Sequence, residues 1–303
     1  MPKDKNPIKI GFIGQGWIGK NYANDFEQRG LSVVRYSLEE PYVQNRDKIK
    51  TCDIVFIAVP TPTTVDGFDS SIVEAALKNV GAKKIAVIKS TLLPGTTEKL
   101  QKKFPNIYVM HSPEFLREVH AAYDAANPTR NIIGIPKESA EYKKMAQKVM
   151  DVLASAPYNK IMHSTEAELV KYIGNCFLYQ KVLFFNQMYD LAEKMDLDYG
   201  NIRNAVINDS RIGESHTAIV HASGHNQKML GRGAGGHCFI KDYEALIELY
   251  QKELPKDVRG LSALTGIREK NYELLVNSKK DLDLLKGVIG GEEELKKYGK
   301  KEN

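Results

Sequence analysis

Cysteine is scarce in this chain: 303 residues hold three, Cys52, Cys176 and Cys238. An odd number without framework spacing excludes a disulfide-stapled fold. It fits a reducing compartment, in which each thiol is judged by its own surroundings. No run approaches the roughly 20 apolar residues of a membrane span. The start, Met1 to Asn6, is polar and lacks the apolar core of a signal peptide. A cytoplasmic location with no membrane partner is therefore expected. Basic patches interleaved with aromatics are also missing. The net charge of +5 reads as solvated lysines, such as Lys143/Lys144, Lys279/Lys280 and the stretch from Lys296 to Lys301. Nucleic acid is not an expected partner, whereas the mild positive excess favours an anionic small molecule.

What remains is an ordinary globular composition, 42% apolar and 27% charged, long enough for about two domains. The first half alternates short apolar runs with amphipathic stretches. Ile8–Ile13, Ser32–Tyr36, Ile54–Val59, Ile85–Lys89, Ile107–Met110 and Ile132–Ile135 read as buried strands. Helical patterns lie near 17–29, 70–80, 94–103 and 138–153. The alternation predicts an α/β fold: a Rossmann-type, doubly wound parallel sheet with helices on both faces. The second half reads as an all-helical central domain. A long helix runs from Thr165 to about Met195, with Thr165-x-x-Glu168 as a capping box. Further helices are expected near 198–207, 241–253 and 258–279, around one long loop at about Asp209–Gly236. The expected division is a dinucleotide-binding domain over 1–164, a helical substrate and dimerisation domain over 165–279, and a charged, fraying tail over 280–303.

Gly14-Gln15-Gly16-Trp17-Ile18-Gly19 follows the first strand and opens a helix. This is the context in which G-x-G-x-x-G binds a dinucleotide: glycines admit the pyrophosphate, and the helix N-terminus supplies N–H donors. The acidic residue expected at the end of the second strand is absent, and Val33-Val34-Arg35-Tyr36-Ser37 stands there. Ser37 near Arg35 is compatible with a 2′-phosphate, so NAD is preferred and NADP stays open.

Other polar segments follow predicted strands: Val59-Pro60-Thr61-Pro62-Thr63, Ser90 to Thr97, and Ser112-Pro113-Glu114-Phe115-Leu116-Arg117-Glu118. Open α/β sheets bind ligands at those carboxyl ends. On the long helix Lys171 and Asn175 share a face, and an ammonium beside an amide can donate to a developing alkoxide. An unrelated surface lysine is the plainer alternative. Gly235-Gly236-His237-Cys238 precedes a helix, where N–H groups and the dipole favour thiolate. Cys238 is thus either a nucleophile or a structural cysteine. Asp242, one turn later, is either a helix-terminal carboxylate or a group that orients water. Cys52 and Cys176 sit in apolar settings and read as structural. His216, His221 and His225 in the long loop have no recognised metal spacing, so no metal is expected.

Taken in order, GQGWIG, VPTPT, STLLPGTT, SPEFLRE, AELVKYIGN, DSRIGESH and GGHCFIKD resemble the UDP-glucose/GDP-mannose dehydrogenase family over about residues 8 to 250. The resemblance implies NAD held by Gly14, Gly16, Trp17, Ile18, Gly19, Ser37, Thr61 and Thr91. It implies a sugar nucleotide, first of all UDP-glucose, lined by Phe115, Leu116, Arg117, Lys171, Arg211, Gly235 and Gly236. Cys238 would be the nucleophile, Lys171 and Asn175 its oxyanion donors, and Asp242 its water-orienting partner. Glu114 or Glu118 would act as base, with Thr91 near the reacting carbon. The family's activity is a four-electron oxidation of a primary alcohol through a cysteine thiohemiacetal and thioester, in dimers packed through their central helices. This chain departs from the pattern at Ala234 and Ile240, where a phenylalanine and a proline are usual. The resemblance also predicts a third, nucleotide-binding domain where this chain ends. Two other readings compete. One is a two-domain hydroxyacid dehydrogenase making a single hydride transfer, and the other an inactive dinucleotide-binding relative.

Overall fold

The computed structural model describes residues 8–64, 66–223 and 226–299. They form two units, the first from 1–62 with 69–171 and the second from 63–68 with 172–303.

The first unit holds β1 (Ile10–Ile13), α1 (Trp17–Gln28), β2 (Val33–Tyr36), α2 (Arg46–Ile49) and β3 (Ile54–Ile57). The chain then makes a short hairpin, β4 (Thr63–Thr64) and β5 (Gly67–Phe68), which belongs to the second unit. It returns as α3 (Ser71–Leu77), β6 (Ile85–Ile88), α4 (Thr96–Lys103), β7 (Tyr108–His111), α5 (Ala121–Ala126), β8 (Arg130–Ile135), α6 (Ala140–Met150) and β9 (Tyr158–His163). Strands β1, β3 and β6 are buried at every position, because helices cover both sheet faces. The rings of Phe12, Phe26 and Phe56 meet at 5.0–5.3 Å and tie α1 to the sheet.

The sheet order is β2-β1-β3-β6-β7-β8-β9. Pairing is parallel from β2 to β7, and β1 sits between β2 and β3, so the strand order reverses there. Such a reversal opens a crevice at the carboxyl ends. The expectation of a wholly parallel sheet is corrected at one pair: β8 runs antiparallel to β7. Strand β9 was not expected at all. It pairs with β8 and is exposed over Tyr158, Asn159 and Lys160, so it carries no apolar signature.

Helix α7 (Ser164–Lys194) is the long helix, continuous over 31 residues. The predicted capping box is corrected. Glu166, not Glu168, reaches back to the backbone N–H of His163, at 3.1 Å. Glu168 instead receives the N–H groups of Gly95 and Thr97 and the Thr97 hydroxyl, at 2.6–2.7 Å, at the start of α4.

The second unit continues with α8 (Tyr199–Ile207), β10 (His221–Ala222), β11 (Leu230–Gly231), α9 (Gly236–Glu253), α10 (Val258–Asn277), α11 (Leu282–Ile289) and α12 (Glu292–Lys296). The predicted loop thus contains a small antiparallel ladder, β10 with β11. Tyr179 of α7 stacks on Tyr243 of α9 at 3.9 Å. The tail expected to fray is folded over its described part, 280–299: Leu285 and Leu295 join Ile240, Tyr272 and Leu275 in one apolar cluster. Enough leucine and isoleucine lies between the tail's charges to bury a face, as helical spacing permits.

Candidate functional site

The glycine loop lies between β1 and α1, at the strand-order reversal. Gly14 has φ +90°, and a Cβ there would stand 2.1 Å from the Ala58 carbonyl oxygen. A Cβ on Gly19 would stand 2.0 Å from the Gly14 oxygen. Both positions therefore require glycine for tight packing. Gly16 differs: nothing lies within 4 Å of its would-be Cβ, so its face is open. It caps α1 without a side-chain hydrogen bond, and no acidic residue occupies the first turn. An open glycine at an uncapped helix N-terminus fits a dinucleotide pyrophosphate. Trp17 and Ile18 begin α1. Arg35 is not available for a 2′-phosphate. Its guanidinium is buried, donating to both Glu27 oxygens at 2.9 and 2.6 Å and to Asn24 at 2.8 Å. Ser37 turns its hydroxyl to the Glu39 carbonyl.

Thr61, Thr91 and Glu114 follow β3, β6 and β7, and Thr61 and Glu114 are buried. The Lys171 ammonium, 5% exposed, donates to both the Glu114 carboxylate and its carbonyl, each at 2.7 Å. The other Glu114 oxygen accepts the Leu116 N–H at 2.9 Å. Phe115 lies under the Arg130 guanidinium at 3.8 Å. Sequence reasoning missed Lys89, which ends the β6 run with its ammonium buried against the Tyr22 ring and the Ser112 hydroxyl. Burial pushes it down to about 8, partly offset by Glu114. His111, fully buried beside it, is pushed down to about 3, chiefly by burial and then by Lys89. A lysine closing an apolar strand was the signal available for Lys89; His111 offered none.

In the second unit Cys238 is exposed in the first turn of α9, whereas Cys52 and Cys176 are buried. Burial pushes the Cys52 thiol up to about 11 and Cys176 higher still. The Asp242 carboxylate, 1% exposed, receives the Asn175 amide at 2.6 Å and the Lys241 ammonium at 2.5 Å. Lys171 and Asn175, one turn apart on α7, are thus engaged with different carboxylates, Glu114 and Asp242. Gly236 has φ +85° as it enters α9.

Other predicted residues stand apart from these groupings. Arg117 is exposed and paired with Asp124, and Arg211 is exposed and paired with Asp209. The Glu118 side chain and His225 lie outside the described residues. Among the described residues no cluster of His, Cys, Asp and Glu could hold a metal. No described helix is long and apolar enough to cross a membrane.

Comparison with known proteins agrees with this layout. Residues 42–153 match the NAD binding domain of the UDP-glucose/GDP-mannose dehydrogenase family, and residues 165–272 match its central domain. UDP-glucose 6-dehydrogenase of Campylobacter jejuni is 30% identical over 90% of this chain and 76% of its own length. That of Rhizobium meliloti is 33% identical over 82% of this chain but 57% of its own length. The solved UDP-glucose dehydrogenase of Pyrobaculum islandicum superposes with a TM-score of 0.73 at 27% identity, over 92% of this chain and 72% of that one. This chain therefore spans little more than half of some of its relatives. With both domain models matched in order, and the glycine cradle in place ahead of them, the chain belongs to the UDP-glucose/GDP-mannose dehydrogenase family and is built to bind NAD.

Proposed function

We propose that this protein is a sugar-nucleotide 6-dehydrogenase that oxidises the primary alcohol of UDP-glucose to the carboxylate of UDP-glucuronate. The observation that carries the reading is the polar network one helical turn from the exposed Cys238. There a buried carboxylate is held between Asn175 and Lys241, on the helix that carries the thiol.

NAD supplies the hydride acceptor, and two equivalents are needed. Loss of one hydride and one proton turns the C6 alcohol into an aldehyde. The Cys238 sulfur adds to that carbon, forming a C–S bond and an oxyanion, for which Lys171 and Asn175 are the donors. Loss of a second hydride turns the thiohemiacetal into a thioester. Water, oriented by Asp242 with a glutamate such as Glu114 as base, cleaves the C–S bond. Carboxylate and thiol result. Covalent capture keeps the aldehyde from leaving between the two oxidations. Thr61 and Thr91 are assigned to the cofactor side. Phe115, Leu116 and Arg211 are assigned to the sugar nucleotide.

The test is stoichiometry. Two reduced cofactors per UDP-glucuronate support the reading; one reduced cofactor and a carbonyl product would indicate a hydroxyacid-type single hydride transfer. Cys238→Ser is expected to abolish the full oxidation and leave NAD binding intact, since serine is far less acidic than cysteine. Full four-electron turnover by that variant would rule out the covalent route.

We also propose a homodimer seamed along α7. Its exposed face carries Ile173 at 60%, Phe177 at 64%, Phe184 at 55% and Leu191 at 52% exposure, and Met195, just past its end, is 58% exposed. The opposite face buries Tyr179, Val182, Leu183 and Phe185.

A further inference from the structure

Two charges at the turn between α10 and α11 are removed from water: Lys280 is 0% exposed and Asp281 1%. Both point at the loop that leads into α9. The Lys280 ammonium donates to the carbonyls of Gly233 at 2.9 Å and Gly231 at 3.4 Å. The Asp281 carboxylate accepts the Ser223 hydroxyl and the Gly236 backbone N–H, each at 2.8 Å. Gly236 is the first residue of α9, two before Cys238. Helix α10 and its C-terminal capping residue hold the loop elsewhere. The Ser278 hydroxyl receives the Arg232 N–H at 3.1 Å, and Asn271 brackets both the N–H and the carbonyl of Ala234.

Packing makes the same point independently. A Cβ on Gly235 would lie 2.0 Å from an Asp281 carboxylate oxygen, and one on Gly231 would lie 2.9 Å from the Lys280 Cβ. At 231 and 235 these charged side chains therefore leave no room for a Cβ. The turn itself is unusual. Lys279 and Asp281 have φ +54° and +51°, a left-handed backbone that non-glycine residues keep only where their surroundings over-determine it. Burying two charges is a poor route to stability when apolar residues would fill the same space. What it gives is geometric, because the Lys280 ammonium donates to, and the Asp281 carboxylate accepts from, fixed points of the loop.

We propose that Lys280 and Asp281 are positioning residues for the oxidation, locking the loop from Gly231 to Gly236 so that the first turn of α9 presents Cys238 in one orientation. The proposal rests on the reading of Cys238 as nucleophile. It assigns a functional task to a segment that composition marks as a solvated tail.

The experiment uses the full chain and the variants Asp281→Asn, Lys280→Met and Ser223→Ala. Asparagine keeps the shape of Asp281 and tolerates the left-handed backbone, and methionine keeps the stem of Lys280. For each, kcat and KM with NAD and UDP-glucose are measured, together with the rate of Cys238 alkylation by iodoacetamide. The other two thiols are buried, so modification reports on Cys238. Expected are a fall in kcat of about ten-fold or more in the first two variants, with an unchanged KM for NAD. In Lys280→Met, which removes both a positive charge and the hold on the loop, alkylation slows by roughly three-fold or more. Ser223→Ala lowers kcat by a smaller factor. A folded Asp281→Asn or Lys280→Met with wild-type kcat and wild-type alkylation overturns the proposal. If neither folds, wild-type values in Ser223→Ala overturn it. Alkylation needs no substrate. If the wild-type protein fails to oxidise UDP-glucose, the proposed function falls, and the alkylation comparison still decides this one.

Discussion

At Lys171 an ion pair and a proposed catalytic role rest on one ammonium group. Replacing it by alanine removes an oxyanion donor, which typically costs about 100- to 1,000-fold in rate. The same change strands the Glu114 carboxylate, 3% exposed, without its countercharge, and breaking a buried pair in that way costs about 3–5 kcal/mol. Lys171→Ala is therefore expected to lose both turnover and melting temperature, while NAD affinity measured by titration below the new midpoint stays near wild type. A destabilised variant with undiminished kcat would assign Lys171 to structure alone.

Glu168 gives a prediction in pH. Burial pushes its carboxyl up to about 7, against the opposing hydrogen bonds from Thr97 and Gly95. A carboxyl raised in the folded state binds more protons there than in the unfolded chain, whose reference value is 4.5. Its contribution to stability is therefore fullest below that value and declines as pH rises towards about 7. His111 acts in the opposite sense. Held neutral down to about 3 against an ordinary 6.5, it favours folding above the higher value and loses that contribution as pH falls. The two overlap, so wild-type melting alone is ambiguous. The difference in unfolding free energy between wild type and Glu168→Gln, measured from about pH 5 to 7.5, isolates Glu168 and is expected to shrink as pH rises. A difference independent of pH would show a carboxylate ionised throughout.

Among the elements, α7 carries the most consequence. A surface helix has one apolar stripe, and a second stripe must be covered by something. The second stripe here recurs at four or seven residues, from Ile173 and Phe177 through Phe184 to Leu191 and Met195, the spacing of a packing seam. Sedimentation at micromolar concentration is expected to give twice the chain mass of 34.0 kDa. Phe177→Asp with Phe184→Asp should return it to the single chain without unfolding it, since both rings are exposed. A wild-type protein that sediments as one chain would remove the seam.

At the scale of the whole molecule, what could be read from sequence depended on whether the determining interaction was local. Strands β1, β3 and β6 announced themselves because a strand covered on both faces is apolar throughout. The glycine loop was legible because its requirements, a left-handed Gly14 and a close approach at Gly19, are settled by neighbours along the chain and one adjoining strand. Lys171, Asn175, Cys238 and Asp242 were legible as candidates through helical spacing and resemblance. Which carboxylate Lys171 and Asn175 each engage was not. Edge strand β9, half polar and exposed, and the reversed direction of β8 depend on pairing with distant segments. The capping box failed because Glu168 had a better set of donors across the fold, at Gly95 and Thr97.

Composition and periodicity by themselves determined the α/β order, the dinucleotide cradle and the helical second half, since each follows from short-range backbone chemistry and from which faces must leave water. Only the tertiary structure decided which charges are buried. Lys280 and Asp281 look in sequence like any solvated charge, and yet both are buried. A charge can leave water only where other parts of the chain supply donors, acceptors or a countercharge in the right directions, and that supply is fixed by the fold.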